Sequence, residues 1–224
     1  VLNWATFFGG QASDYGRSCA VDSSNDILIC GNTFSTDLPV DSTAYQNRLK
    51  GETAGFMAKF DSSGFRLWAT YFGGNGGDVC SSIDTDMAGN IFITGHTESR
   101  SDFPVIRAHQ PVYGGGENDF FISKFGPDGQ PLYSTYLGGI DDEQKGVGGR
   151  CYIAAQASGE FTIGCVATDN FPNIQNARQP VHGGGVGDVF IGLFDSSGTP
   201  IWGTFHGGSK YESVNDITFD NQGN

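Results

Sequence analysis

Four histidines, five cysteines and 25 acidic side chains are the groups that could do chemistry in this 224-residue chain. The histidines are His96, His109, His182 and His206, and no two stand at metal-ligand spacing. His96 falls where another copy of the same phrase has Asn32, so all four read as surface or rim residues. Paired carboxylates could cleave a glycoside if unrepeated acids met at one mouth. No Gly-x-Ser-x-Gly elbow is present. Gly114–Gly116 and Gly183–Gly185 look like phosphate cradles, but no Lys-Ser/Thr follows and no helix opens there. Flexible loops entering a strand are expected instead. The stretch DTDMAGN, Asp84–Asn90, begins like a calcium loop yet lacks the third acid and the distal Glu. Ca2+ is therefore a secondary expectation. Otherwise no cofactor, metal ligand or catalytic residue is expected.

The cysteines carry more. Cys19, Cys30, Cys80, Cys151 and Cys165 contain no CxxC pair, which argues against a zinc ribbon or a thioredoxin-like motif. In CYIAAQASGEFTIGC, a three-residue loop at Ala157–Gly159 with its glycine left-handed would set Gln156 opposite Glu160. That register brings Cys151 opposite Cys165 at a closely spaced pair, so a cross-strand disulfide is expected there. The same register sets Cys19 opposite Ile29. Cys19, Cys30 and Cys80 read as buried free thiols.

What must position these groups is a repeat. WATFFGG (Trp4–Gly10), WATYFGG (Trp68–Gly74), YSTYLGG (Tyr133–Gly139) and WGTFHGG (Trp202–Gly208) recur at steps of 64, 65 and 69 residues. Gly31 matches Gly95. Pro39, Pro104 and Pro172 keep the step, as do Gln46, Gln110 and Gln179. Within a copy, alternating runs such as NIFITGHT and DFFISKF are separated by Gly/Asn turns, which predicts four short antiparallel strands. In the phrase itself, Trp68 and Phe72 share one strand face and Tyr71 takes the other. The glycine pair then releases the chain. Sheets of this size bury both faces by stacking radially, so the expectation is an all-β propeller of four-stranded blades, ~65 residues each. A β-sandwich is the alternative, but it would not explain the repetition.

AVDSSNDILICGNTFSTDLPV, DTDMAGNIFITGHTESRSDFPV, YGGGENDFFISKF and LWATYFGG together resemble the bacterial seven-bladed β-propeller repeat, SBBP. The resemblance covers almost the whole chain. It implies modules of secreted or surface-anchored bacterial proteins and no catalytic residue. The third copy departs most, with Gln156 for the usual Asp and extra residues before its first strand.

The chain is thus expected to be one partial propeller over 1–224, with copies at about 1–66, 67–131, 132–200 and a truncated 201–224. Trp4–Phe8 reads as strand four of one blade and Asn215–Asp220 as strand one of another, giving about 3.5 blades with open edges. Residues outside the chain, or another copy, would complete the ring. A net charge of −13 argues against nucleic acid and anionic membranes, and no apolar run approaches a membrane span.

Recurring acids such as Asp37, Asp61, Asp102 and Asp195 read as turn devices. Tyr45, Arg107, His109, Tyr113, Arg178 and His182 lie in the variable connections and are the candidate partner-binding residues. The function these features favour is a non-catalytic extracellular scaffold or adhesion module that binds protein or glycan. A self-associating subunit of a surface filament or layer and a glycoside-cleaving propeller are the alternatives.

Overall fold

The computed structural model describes residues 3–143, 150–168, 170–172, 176–220 and 222–224. These residues form three four-stranded antiparallel sheets with no helix, so none is long and apolar enough to cross a membrane. The first sheet holds β1 (Asp14–Val21), β2 (Ile27–Thr33), β3 (Ala54–Phe60) and β4 (Arg66–Phe72). The second holds β5 (Asp78–Thr85), β6 (Ile91–Thr97), β7 (Asp119–Phe125) and β8 (Pro131–Leu137). The third holds β9 (Cys151–Ala155), β10 (Phe161–Ala167), β11 (Asp188–Phe194) and β12 (Pro200–His206). Spatial order follows chain order in each sheet.

Neighbouring sheets pack face to face. Leu28, Cys30, Met57 and Phe72 of the first meet Ile91, Ile93, Phe121, Phe125 and Tyr136 of the second. Phe92, Phe120, Ile122 and Leu137 on the other face of the second meet Ile153, Phe161, Ile163 and Phe190 of the third. The first and third share no core cluster. This is blade-to-blade packing with the opening strands innermost: the β9 amides of Ile153 and Ala155 donate to Ser82 Oγ (3.3 Å) and Asp84 Oδ2 (2.8 Å) of β5.

Hairpin turns share one geometry. In each, the first residue's N–H meets the carbonyl four residues on, and the fourth N–H returns to the first carbonyl, at Asp22, Asp61, Asp86, Gly126, Gln156 and Asp195. The fourth residue is left-handed: Asn25, Gly64, Gly89, Gly129, Gly159 and Gly198 all have φ between 60° and 90°. This is the loop expected at Ala157–Gly159, and it delivers the expected pairs Cys151↔Cys165 and Cys19↔Ile29.

Two expectations need correction. Three sheets are complete rather than three and a half, because the flanking segments 3–8 and 215–220 have no strand to bond and form none. They still occupy blade positions. Trp4 Nε1 donates to Ser62 O at 2.9 Å, Phe8 packs on Phe56 and Phe60, and Val214 and Ile217 lie over Gly164. Second, Gly114–Gly116 is not a free loop. A Cβ on any of the three would come within 2.8 Å of the backbone of Gly138–Asp142, so the glycines let two chain segments touch. Gly183 and Gly185 lie similarly against Gly207–Lys210. The extra residues before β9, at 144–149, lie outside the described residues.

Candidate functional site

The repeated phrase builds a junction between successive blades. Its first aromatic reaches forward onto the next hairpin turn. Trp68 stacks on Gly129 and donates from Nε1 to Pro127 O at 3.1 Å, while Tyr133 lies against Gly198 and donates to its carbonyl at 3.1 Å. Trp4 treats Gly64 in the same way. The threonine two residues on clasps the long connection. Gln46 N donates to Thr70 Oγ1 at 3.0 Å, Gln110 N to Thr135 Oγ1 at 2.8 Å and Gln179 N to Thr204 Oγ1 at 2.8 Å. Each glutamine side chain then accepts the N–H of the first phrase glycine, at Gly73, Gly138 and Gly207. Tyr71 and Tyr136 donate their hydroxyls to the carbonyls of Ser35 and Ser99. As expected, Trp68 and Phe72 join one core cluster and Tyr71 another.

A carboxylate four residues after the second glycine closes each junction. Gly10 N donates to Asp14, Gly74 N to Asp78, Gly139 N to Glu143 and Gly208 N to Glu212, at 2.6–3.2 Å. The spacing Gly-Gly-x-x-x-acid carried this signal in the sequence, and it stands there unmarked by alternation or turn chemistry. A second acid opens β7 and β11. Asp119 accepts Gly114 N–H and Asp188 accepts Gly183 N–H, where β3 opens with Ala54 instead. Burial raises the Asp78 and Asp119 carboxyls to about 6 and that of Glu143 to about 8.

Asp61 and Asp195 bind the amides of their own turns, as expected. Asp37 and Asp102 are not turn devices: each accepts an amide of the distant segment after the phrase glycines, from Gln11 and Asn75. In the stretch Asp84–Asn90, Asp86 accepts the Asn90 amide at 2.8 Å and Asp84 serves β9, so these acids hold protein donors. Among the described residues, no three of His, Cys, Asp or Glu gather as a metal-binding group.

At the outer rim, two equivalent crevices open between blades. One is lined by Asp41, Tyr45, Trp68, Asp128 and Gln130. The other is lined by Arg107, His109, Tyr133, Ser197 and Thr199. So the structure brings Arg107 and His109 together, both exposed, and sets Tyr45 in the sister crevice, half-buried against Phe72. Tyr113 and His182 instead take equivalent posts beside the junction acids. Tyr113 packs edge-on against Tyr136 under the Arg100 guanidinium, and His182 Nε2 stands 3.6 Å from Asp188 Oδ1. Arg178 is exposed on the third connection, of which residues 169 and 173–175 lie outside the described residues.

All five cysteines are free. Cys151 and Cys165 face each other in the register expected, but the disulfide expected there is not formed in this structure; both thiols are buried. Burial and the neighbouring Cys151 hold the Cys165 thiol well above its usual range, so it stays protonated. Cys30 and Cys80 are buried as expected, whereas Cys19 is exposed, since no blade covers the open face of β1. His96 also departs from a surface reading: it stands in β6, and burial lowers it to about 4, leaving it neutral at pH 7.

Residues 67–104 match the family model described as SBBP, beta-propeller repeat. No curated protein matches the chain. The matched stretch runs from β4 of the first sheet through β5 and β6 of the second, so it spans the junction between them.

Proposed function

We propose that this SBBP-repeat propeller is a non-catalytic extracellular scaffold that presents its rim to a protein or glycan partner. One observation carries the reading. The two rim crevices are built from corresponding segments of successive blades but carry different linings: acidic and aromatic in the first, cationic and hydroxylic in the second. Corresponding segments with different linings suit recognition by loops. The Arg107 and His109 side chains are exposed beside Tyr133, Ser197 and Thr199, a set able to donate to sugar hydroxyls or to a carboxylate. The test is binding of the intact chain to glycan and protein arrays, followed by Arg107→Ala and His109→Ala. Loss of a hit in both variants would support the reading. Silence on both arrays would favour a spacer role.

The open face of β1 favours a second reading, self-association into a surface layer or filament. Tyr15, Val21 and Phe34 are exposed large hydrophobics on or beside this strand. Light scattering without any ligand separates the two readings.

A further inference from the structure

The three junctions differ in how their buried acids are balanced. The first holds Asp78 without a second strand-opening acid, because Ala54 stands there. The third sets His182 beside Asp188. The middle junction holds both Asp119 and Glu143, fully buried, with no ion pair on either among the described residues.

Both carboxylates rest on the Gly138–Gly139 pair. Glu143 Oε1 accepts the Gly139 amide at 2.6 Å, and a Cβ on Gly138 would stand 2.5 Å from Asp119 Oδ1. Each acid therefore spends one oxygen and leaves the other. Asp119 Oδ1, Glu143 Oε2 and Asn118 Oδ1 are buried atoms without a hydrogen-bond partner, and the Tyr113 hydroxyl beside them is met only by the Arg100 guanidinium. They belong to one place. Tyr113 directly precedes Gly114, whose amide binds Asp119 at 2.6 Å, and the Glu143 amide meets the Asn118 carbonyl at 3.4 Å. Asn118 is 6% exposed, Asp119 0% and Glu143 1%. Buried polar atoms left unpaired are costly, more so if charged, so three in one junction call for a ligand.

Its chemistry follows from the donors. Two carboxylates, an amide oxygen and a phenol oxygen form an all-oxygen set, which suits a hard cation. We propose that the junction between the second and third blades binds one Ca2+-class divalent cation through Asn118, Asp119, Glu143 and Tyr113, pinning the two sheets together.

The intact chain should be titrated with Tb3+ in physiological salt, with emission excited through tyrosine, and then with Ca2+ as competitor. The expected result is one saturable Tb3+ per chain, displaced by Ca2+. Glu143→Gln should weaken Ca2+ binding at least tenfold, while Asp61→Asn at an exposed turn leaves it unchanged. If Glu143→Gln fails to fold by circular dichroism, Asn118→Ala gives the same reading, with a several-fold loss. No saturable ion in the native chain would overturn the proposal. So would equal losses in Asp61→Asn and the junction variants, the mark of diffuse attraction to an acidic surface.

Discussion

Arg107 and Asn176 hold the same left-handed backbone, φ 49° in both, at equivalent points of two connections. Asn tolerates this conformation and Arg does not, at about 1–2 kcal/mol. Replacing Arg107 with Asn should therefore stabilise the fold by about 0.5–1 kcal/mol, read from the urea midpoint, while weakening any partner bound in the second crevice. A variant no more stable than the native chain would show that the residue carries no strain. Asp78 makes a different forecast. Burial raises its carboxyl from 3.8 to about 6, so between those values the folded chain keeps a proton that the unfolded chain has released. Stability contributed by this group is full below about 4, falls as pH rises, and levels off above about 6. Asp78→Asn should lessen that decline by roughly 1–3 kcal/mol. Urea melts at pH 4.5 and pH 6.5 check it, and an identical slope in the variant would assign the decline to other groups.

Among elements, the first hairpins divide into two kinds. β1 and β5 each carry a β-bulge, between Gly16 and Ser18 and between Cys80 and Ser82. The bulge presses a carbonyl onto the partner strand: a Cβ on Gly31 would lie 1.9 Å from Tyr15 O, and one on Gly95 would lie 1.8 Å from Val79 O. β9 pairs with β10 without a bulge, and Gly164 there meets only side chains at 3.3 Å and beyond. Gly95→Ala should cost about 3 kcal/mol or more, and Gly164→Ala less than about 1 kcal/mol. Thermal melts compare the two, and equal costs would contradict the bulge account. Much of this scale was legible in the sequence. DFFISKF coincides with β7, and the left-handed glycine of ASG fixed the register of β9 and β10. The bulges were not legible, because one extra residue leaves alternation intact on either side. The junction carboxylates were hidden for a similar reason, since their partners are backbone amides that no side-chain pattern announces. The candidate binding residues split by depth: Arg107 and His109 lie open, whereas Tyr113 and His182, equally polar in sequence, turn inward once Gly114 and Gly183 draw the backbone against the glycine pair that follows the last strand of their own sheet.

For the whole molecule, the open faces matter most. The face of the first sheet away from the second is covered only at its outer half, by Phe8 on Phe56 and Phe60, and the inner strand β1 stays largely exposed. Sedimentation across a dilution series should show association that weakens in Val21→Lys, with little change in melting temperature because Val21 is 61% exposed. A native chain that remains monomeric at every concentration would remove the self-association reading.

Each sheet grips only the sheet beside it, through an aromatic laid on a turn, a shared core and, between the second and third, hydrogen bonds between their opening strands. Such a molecule yields to force in single file. Drawn out by its two ends, it should surrender one sheet at a time from the outside inward, each release paying out on the order of 200 Å of chain at ~3.3 Å per residue. A trace with evenly spaced steps would be the mechanical signature of that nearest-neighbour grip.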